Sequence, residues 1–321
     1  MWWSAQPQMA GLVGDVERSL SMGIVYSDVI AYYDAKLRGV SFESAMCLGH
    51  QSLYLHRQEV ADLRAKYRAE YGESPTSLAD YRWGQYADEF LREFLSVSTL
   101  TVLDGSAYEG ADTVHDMNQS VPIEWANRFD VVIDCGSLEH IFNVPVALSN
   151  LGKMLKVGGT IFITVPANNL MGHGFYQFSP ELMFRVFNRE NGFNLRSLLI
   201  REARYPSVEL TRNRRIYSVT DPAEVRGRVG LQSKHPAMIM VEAVKTDDVQ
   251  MFGNPPIQSD YLAAWTPPDA PSASVSPFMR AARIVEAALP RSVYLHLYGN
   301  YEKRKNSLRN ERFYRRTRGR G

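Results

Sequence analysis

Residues 129–166 read FDVVIDCGSLEHIFNVPVALSNLGKMLKVGGTIFITVP. Phe129–Ile133 is a short apolar run rich in β-branched residues, the pattern of a strand buried on both faces of a parallel sheet. It gives way to the polar turn Asp134-Cys135-Gly136-Ser137. Asn143 supplies a capping side chain and Pro145 a first-turn residue that tolerates a missing N–H, so a helix is expected to open there. Ala147, Leu148, Leu151, Met154 and Leu155 fall at helical spacing and give it one apolar face. Gly158-Gly159 is expected to stop it, and Thr160–Val165 reads as the next buried strand. A strand–helix–strand unit of this length crosses over between parallel strands, in the right-handed sense.

Working outward, Phe42–Leu48, Thr99–Leu103 and Thr113–His115 read as three earlier strands, and Phe193–Arg204 and Ala237–Val244 as two later ones. Amphipathic helices are expected at Ser21–Leu37, Arg57–Glu70 and Gly84–Leu95. Another, capped by Ser179-Pro180-Glu181, should run to about Asn188. Alternating strands and helices define an α/β protein with a doubly wound, mostly parallel sheet. The division expected is a helical cap over 1–40, the sheet domain over 41–246, a Pro/Ser-rich linker over 247–276, and an amphipathic helix (Pro277–Leu289) with a basic tail over 277–321.

The elements Phe129-Asp130-Val131-Val132-Ile133-Asp134, then Leu138-Glu139-His140, then Leu155-Lys156-Val157-Gly158-Gly159 before a strand resemble class I S-adenosylmethionine-dependent methyltransferases. In that family they are the fourth strand, its functional edge and the turn into the fifth strand. The resemblance implies a Rossmann-like, seven-stranded sheet closed by a pair of strands of which the last is antiparallel. It also implies S-adenosylmethionine as cofactor. The glycine-rich loop of the family is reduced here to Gly49 in Cys47-Leu48-Gly49-His50-Gln51, a departure from the pattern.

On the same resemblance, Gly49, His50, Asp104, Asp116, Met117, Asp134 and Gly136 are the candidate cofactor contacts. Asp104 ends the second strand, where a carboxylate can accept both ribose hydroxyls. Asp116 could accept from the adenine amino group, with Met117 on the ring face. Tyr108 or Glu109 could contact cofactor or substrate. Methyl transfer from a sulfonium needs no metal; positioning does most of the work, and a base helps where the acceptor must lose a proton. The candidates for that base are His140, Glu139 and His173. The loop after the fifth strand carries Asn168, Asn169, Tyr176 and Gln177, whose hydrogen-bonding capacity suits a polar acceptor such as a sugar or glycoconjugate.

Two other functions fit parts of the sequence. A metal-dependent hydrolase could draw on Asp134, His140, His173 and His115, although no histidine pair has ligand spacing on one helix. A non-catalytic member of the fold would account for the reduced glycine loop. The two cysteines, Cys47 and Cys135, imply no disulfide framework. Residues 302–321 hold nine basic and two acidic residues, against 27 basic and 33 acidic in the remainder. Such a tail suits an anionic partner, a peripheral membrane contact or plain solvation, and the helix before it could support a homodimer. Nucleic acid is not expected, because the basic charge is terminal rather than gathered at the site. No apolar run reaches the roughly 20 residues that span a bilayer, and the opening MWWSAQPQMAG lacks the pattern of a secretory signal. A cytoplasmic protein is expected.

Overall fold

The computed structural model describes residues 23–203, 209–211, 215–265 and 289–317. In chain order the first half contains β1 (Ile24–Val25), α1 (Tyr26–Leu37), β2 (Ser44–Leu48), β3 (Ser52–Tyr54), α2 (Arg57–Tyr71), β4 (Gln85–Tyr86), α3 (Asp88–Phe94), β5 (Thr99–Asp104) and β6 (Thr113–Val114). The second half contains β7 (Phe129–Cys135), α4 (Val144–Met154), β8 (Leu155–Asn168), α5 (Pro180–Val186), β9 (Phe193–Glu202), β10 (Arg215–Val219), α6 (Pro222–Val225), β11 (Ala237–Lys245), α7 (Ser259–Trp265), α8 (Arg291–Lys305) and β12 (Tyr314–Arg316). No helix among the described residues is long and apolar enough to cross a membrane.

The main sheet has the order β12-β10-β9-β11-β8-β7-β2-β5-β6. The α/β class holds. All pairings from β6 through β5, β2 and β7 to β8 are parallel. β11 runs antiparallel between β8 and β9. The seven strands read from sequence are all present, with the closing pair arranged as the resemblance implies.

The strand count of seven is corrected to nine. β10 and β12 extend the sheet beyond β9, each antiparallel to its neighbour. β10 falls between the two later strands read from the sequence, Phe193–Arg204 and Ala237–Val244, where no strand was expected. The basic tail is not wholly solvated, because Phe313 and Tyr314 are buried and Tyr314 Oη donates to the Gly230 carbonyl at 3.0 Å. A second small sheet, β1-β3-β4, was not expected at all.

Why the sheet is wound on both faces is visible in its alternation. Met46, Leu48, Val132, Ile161 and Ile163 project into one core with α4 and α5. Their neighbours Ala45, Cys47, Val131, Ile133 and Phe162 project into the other, against α1, α2 and α3. Successive strand residues point to opposite faces, so an unbroken apolar run must be covered twice. Cys47 and Cys135 are free thiols in this second core, and burial pushes both thiols up in pKa.

Two local expectations are corrected. Helix α4 stops at Met154, four residues before the glycines, and Leu155 already pairs with Phe129. Gly158-Gly159 lies inside β8, where the register with β7 slips between Phe129 and Val131. The first turn of α4 is reached without a side-chain cap from Asn143. Instead Asn143 N–H donates to Asn118 Oδ1 at 2.8 Å, tying the turn after β6 to the start of α4. The amphipathic helix read at Pro277–Leu289 lies outside the described residues, save for Leu289.

Candidate active site

The chain reverses direction across the sheet at β2. The connection through α2 and α3 leads to β5 on one side, and β7 then returns to the other side. Between β2 and β7 lies the crevice where open α/β sheets bind ligands. Gly49 stands at its centre, with φ of +74° and its N–H donating to the Leu103 carbonyl at 2.8 Å. A Cβ there would lie 2.5 Å from Ser137 Oγ. Glycine is required at this point both by the left-handed backbone and by the closeness of the turn that follows β7. Ser137 Oγ in turn donates to the Leu48 carbonyl at 2.8 Å, and Gln51 Nε2 donates to the same carbonyl. Ser137 and Gln51 were missed in the sequence, where short polar residues in a turn carry no distinguishing signal.

His50, next to Gly49, is fixed on three sides. Its ring stacks on Tyr86 at 3.5 Å between centroids, Nε2 lies 2.8 Å from Asp88 Oδ2, and Nδ1 meets the Glu109 carbonyl at 2.5 Å. Burial works against charging the ring, but the Glu109 carbonyl and then the Asp88 carboxylate outweigh it and raise the pKa. A raised folded-state value stabilises the protein below the unfolded value of about 6.5, and that increment is lost as pH rises through the folded value. The stability gap between the native chain and His50→Asn is therefore expected to shrink between pH 6 and pH 9 in urea titrations. The change should not exceed about 1 kcal/mol, because Asp88 is open to solvent and screened. A gap that widens with pH would contradict this pairing.

Asp104 closes β5 beside Gly49, half-buried, its Oδ1 accepting from Ser106 N–H at 3.0 Å. Asp116 is exposed after β6. Its Oδ1 accepts from the backbone N–H and side-chain amide of Asn118, which hold its pKa below the ordinary carboxylate range. Met117 is 4% exposed and belongs to the core, with Asn150 packed against it. Asp104, Asp116 and Gly49 thus lie along the carboxyl ends of neighbouring strands, whereas Met117 faces inward.

On the other side of the crevice, Asp134 is fully enclosed. Its carboxylate accepts from the Ser137 and Leu138 N–H groups at 2.9 and 3.3 Å and so shapes the turn containing Gly136. Burial, and then the charge of Glu139, push its pKa well above the usual range. Glu139 and His140 lie in the 3₁₀ turn Leu138–His140. Glu139 has 0% exposure, and His173 Nε2 lies 3.3 Å from its Oε1 without hydrogen-bond geometry. The His140 and His173 rings meet edge to face at 5.1 Å. Partial desolvation lowers the pKa of His140; Glu139 opposes the shift and His173 adds to it. The three expected catalytic residues are thereby brought together. His115 lies elsewhere, against Trp125.

The four residues assigned to substrate have polar groups engaged by the protein itself, three of them by segments outside the loop. Asn169 Nδ2 donates to the Ser233 and His235 carbonyls at 2.8 and 2.9 Å, and Asn168 Nδ2 to the Leu231 carbonyl at 3.2 Å. Gln177 Oε1 accepts from Leu170 N–H at 2.9 Å, and Tyr176 Oη donates to the Phe142 carbonyl at 2.7 Å. These residues build the rim. The rim also presents apolar side chains to solvent: Phe142 and Phe175, in edge contact at 5.9 Å, and Met171. Sequence reading passed over these three, because an exposed apolar residue cannot be told from a core residue until burial is known.

The resemblance to class I methyltransferases holds at the level of strand order. No protein-family model matches this sequence, and no curated protein matches it. Several solved structures are similar to it. One is the methyltransferase CalH complexed with S-adenosylhomocysteine, at 12% identity and a TM-score of 0.35, covering 66% of this chain and 54% of that one. Another is a SAM-dependent methyltransferase from Thermotoga maritima, at 10% identity and a TM-score of 0.36, covering 74% of this chain and 97% of that one. A third, from Burkholderia thailandensis, is 1,6-didemethyltoxoflavin-N1-methyltransferase with its substrate and S-adenosylhomocysteine bound. It has 14% identity and a TM-score of 0.30, covering 76% of this chain and 92% of that one. This chain thus spans about half the length of CalH.

Proposed function

We propose that the chain is an S-adenosylmethionine-dependent methyltransferase that methylates oxygen or nitrogen on a polar small molecule or glycoconjugate. One observation carries the reading. At the reversal of strand order, a tight glycine turn and two strand-end carboxylates, Asp104 and Asp116, lie on one side, and Glu139, His140 and His173 on the other. The first group suits a nucleoside: backbone close enough for contact at Gly49, and a carboxylate whose two oxygens match a ribose diol. The second group suits an acceptor that must lose a proton.

When bound, S-adenosylmethionine supplies a methyl group on a cationic leaving group. The chain's own part is to hold the acceptor in line and take its proton. His140 is the base in this reading, because its lowered pKa leaves the imidazole neutral and able to accept at neutral pH. Phe142, Met171 and Phe175 would exclude water from above. An acceptor carried on a phosphorylated group would find cations in the cleft lined by Arg304, Lys305, Arg309 and Arg312.

The test is calorimetric titration of the purified chain with S-adenosylmethionine and S-adenosylhomocysteine. Binding of both, with a Kd in the micromolar range, is the expected result. Failure to bind either would overturn the reading in favour of a non-catalytic member of the fold.

A further inference from the structure

The turn Leu138–His140 and the loop after β8 are strapped to one another. Phe175 N–H donates to the Glu139 carbonyl at 2.8 Å. Gly174 approaches so closely that a Cβ on it would lie 2.8 Å from both Glu139 Cγ and the Glu139 carbonyl oxygen. This contact fixes His173, one residue earlier, over the turn. One carboxylate and two imidazoles, from segments distant in sequence, consequently face a common point, with all their ligand atoms within 4.8 Å of one another.

We propose that Glu139, His140 and His173 bind a divalent transition-metal ion of the zinc, manganese or cobalt kind. The convergence of donors is the first ground. The second is independent of it: Glu139 is wholly enclosed, and neither of its carboxylate oxygens has a hydrogen-bond partner. The neighbouring buried carboxylate, Asp134, has its partners in two backbone N–H groups. A buried carboxylate without such partners costs several kcal/mol, and a cation at the point it faces removes that cost. His173 Nε2 is likewise buried without a hydrogen bond, on the side facing Glu139.

The donor set selects the kind of ion. Two imidazoles and one carboxylate suit zinc-like ions, whereas magnesium and calcium take oxygen donors. Bonds of about 2.0–2.2 Å put the ligand atoms of a tetrahedral site roughly 3.4 Å apart. The Glu139–His173 pair already stands at 3.3 Å. His140 is exposed and closes the remainder by rotating its side chain. With His140 exposed and His173 half-buried, the remaining coordination positions face solvent, as in sites where the ion takes a substrate oxygen. With the ion bound, His140 is a ligand and no longer the base; the ion would instead polarise an acceptor hydroxyl, whose proton leaves to solvent. That step rests on the methyltransferase reading; that the ion binds does not.

The experiment uses the full, untagged chain stripped with a chelator. Cobalt(II) is titrated by visible absorption and zinc by calorimetry, on the native chain and on His140→Ala, His173→Ala and, as a distant control, His296→Ala. Expected are one ion per chain, cobalt bands of a nitrogen-containing site, and affinity weakened by about 100-fold or more in the first two variants, at or beyond the loss from removing outer-shell partners of known sites. The control should bind as the native chain does. No bound ion, or an affinity in His140→Ala and His173→Ala equal to that of the native chain, would overturn the proposal. S-adenosylmethionine titrated into the same samples separates the two readings. Metal without cofactor sinks only the methyltransferase, and cofactor without metal sinks only the ion site.

Discussion

Replacing Arg201 by methionine is expected to remove about 3–5 kcal/mol of stability, the cost of breaking a buried ion pair by deleting one partner. Arg201 is the largest fully buried side chain among the described residues, at 1% exposure near the C-terminal end of β9. Its guanidinium donates to Asp28 Oδ2 at 2.7 Å and to Ser27 Oγ at 2.8 Å, both at the start of α1. Asp28 also accepts from Thr164 Oγ1 on β8 at 2.9 Å and from Val25 N–H at 3.1 Å. One carboxylate thus joins the first helix to two strands of the main sheet. Without the arginine it is left charged in the interior, with only neutral donors to stabilise it. Domains have some 5–15 kcal/mol in total, so the loss should be plain as a lower urea midpoint at unchanged slope. Combining Arg201→Met with Asp28→Asn should cost less than the sum of the two changes, because the stranded charge is gone. A loss below about 1 kcal/mol in Arg201→Met would show that the pair is dispensable.

Asp104→Ala is expected to weaken S-adenosylmethionine binding roughly 100-fold while moving stability by less than about 1 kcal/mol. The first figure follows from two charge-assisted hydrogen bonds to a ribose diol. At about 1.5–3 kcal/mol each, even partial replacement by water leaves a loss near 3 kcal/mol. The second follows from position. The side chain is half-buried at a strand end, and it gives up one bond, to Ser106 N–H. Calorimetry and thermal unfolding on the same sample separate the two effects. Equal affinity in the variant and the native chain would remove Asp104 from the ribose site, and with it the assignment of β5 as the nucleoside-binding strand.

Much of the fold was legible because it is written in short-range patterns. Ala45–Leu48 in β2, Val131–Ile133 in β7 and Ile161–Ile163 in β8 are unbroken apolar stretches, the pattern of strands covered on both faces. The two added strands were hidden for the opposite reason. Arg215–Val219 and Tyr314–Arg316 are short, partly charged strands near the sheet edge, and neither carries the unbroken apolar signal of the centre. The glycine pair at 158–159 was read as a helix stop because glycine marks helix ends and strand irregularities alike. The pairing of Leu155 with Phe129 decides between them.

At the site, residue types were legible and their employment was not. Glu139, His140 and His173 stood out as chemistry-bearing side chains, and the fold brings them to one point. Asn169, Tyr176 and Gln177 stood out equally, yet their polar groups meet backbone of the same region. An amide offers the same donors and acceptors to a ligand as to a carbonyl, so sequence cannot say which it serves. The sequence alone determined the alternation of strands and helices, and hence the α/β class, because periodicity and turn chemistry are local. Only the tertiary structure decided which buried charges meet. Asp28 finds Arg201, while Glu139 is enclosed without a hydrogen bond, because burial and partnership depend on contacts between segments far apart in the chain.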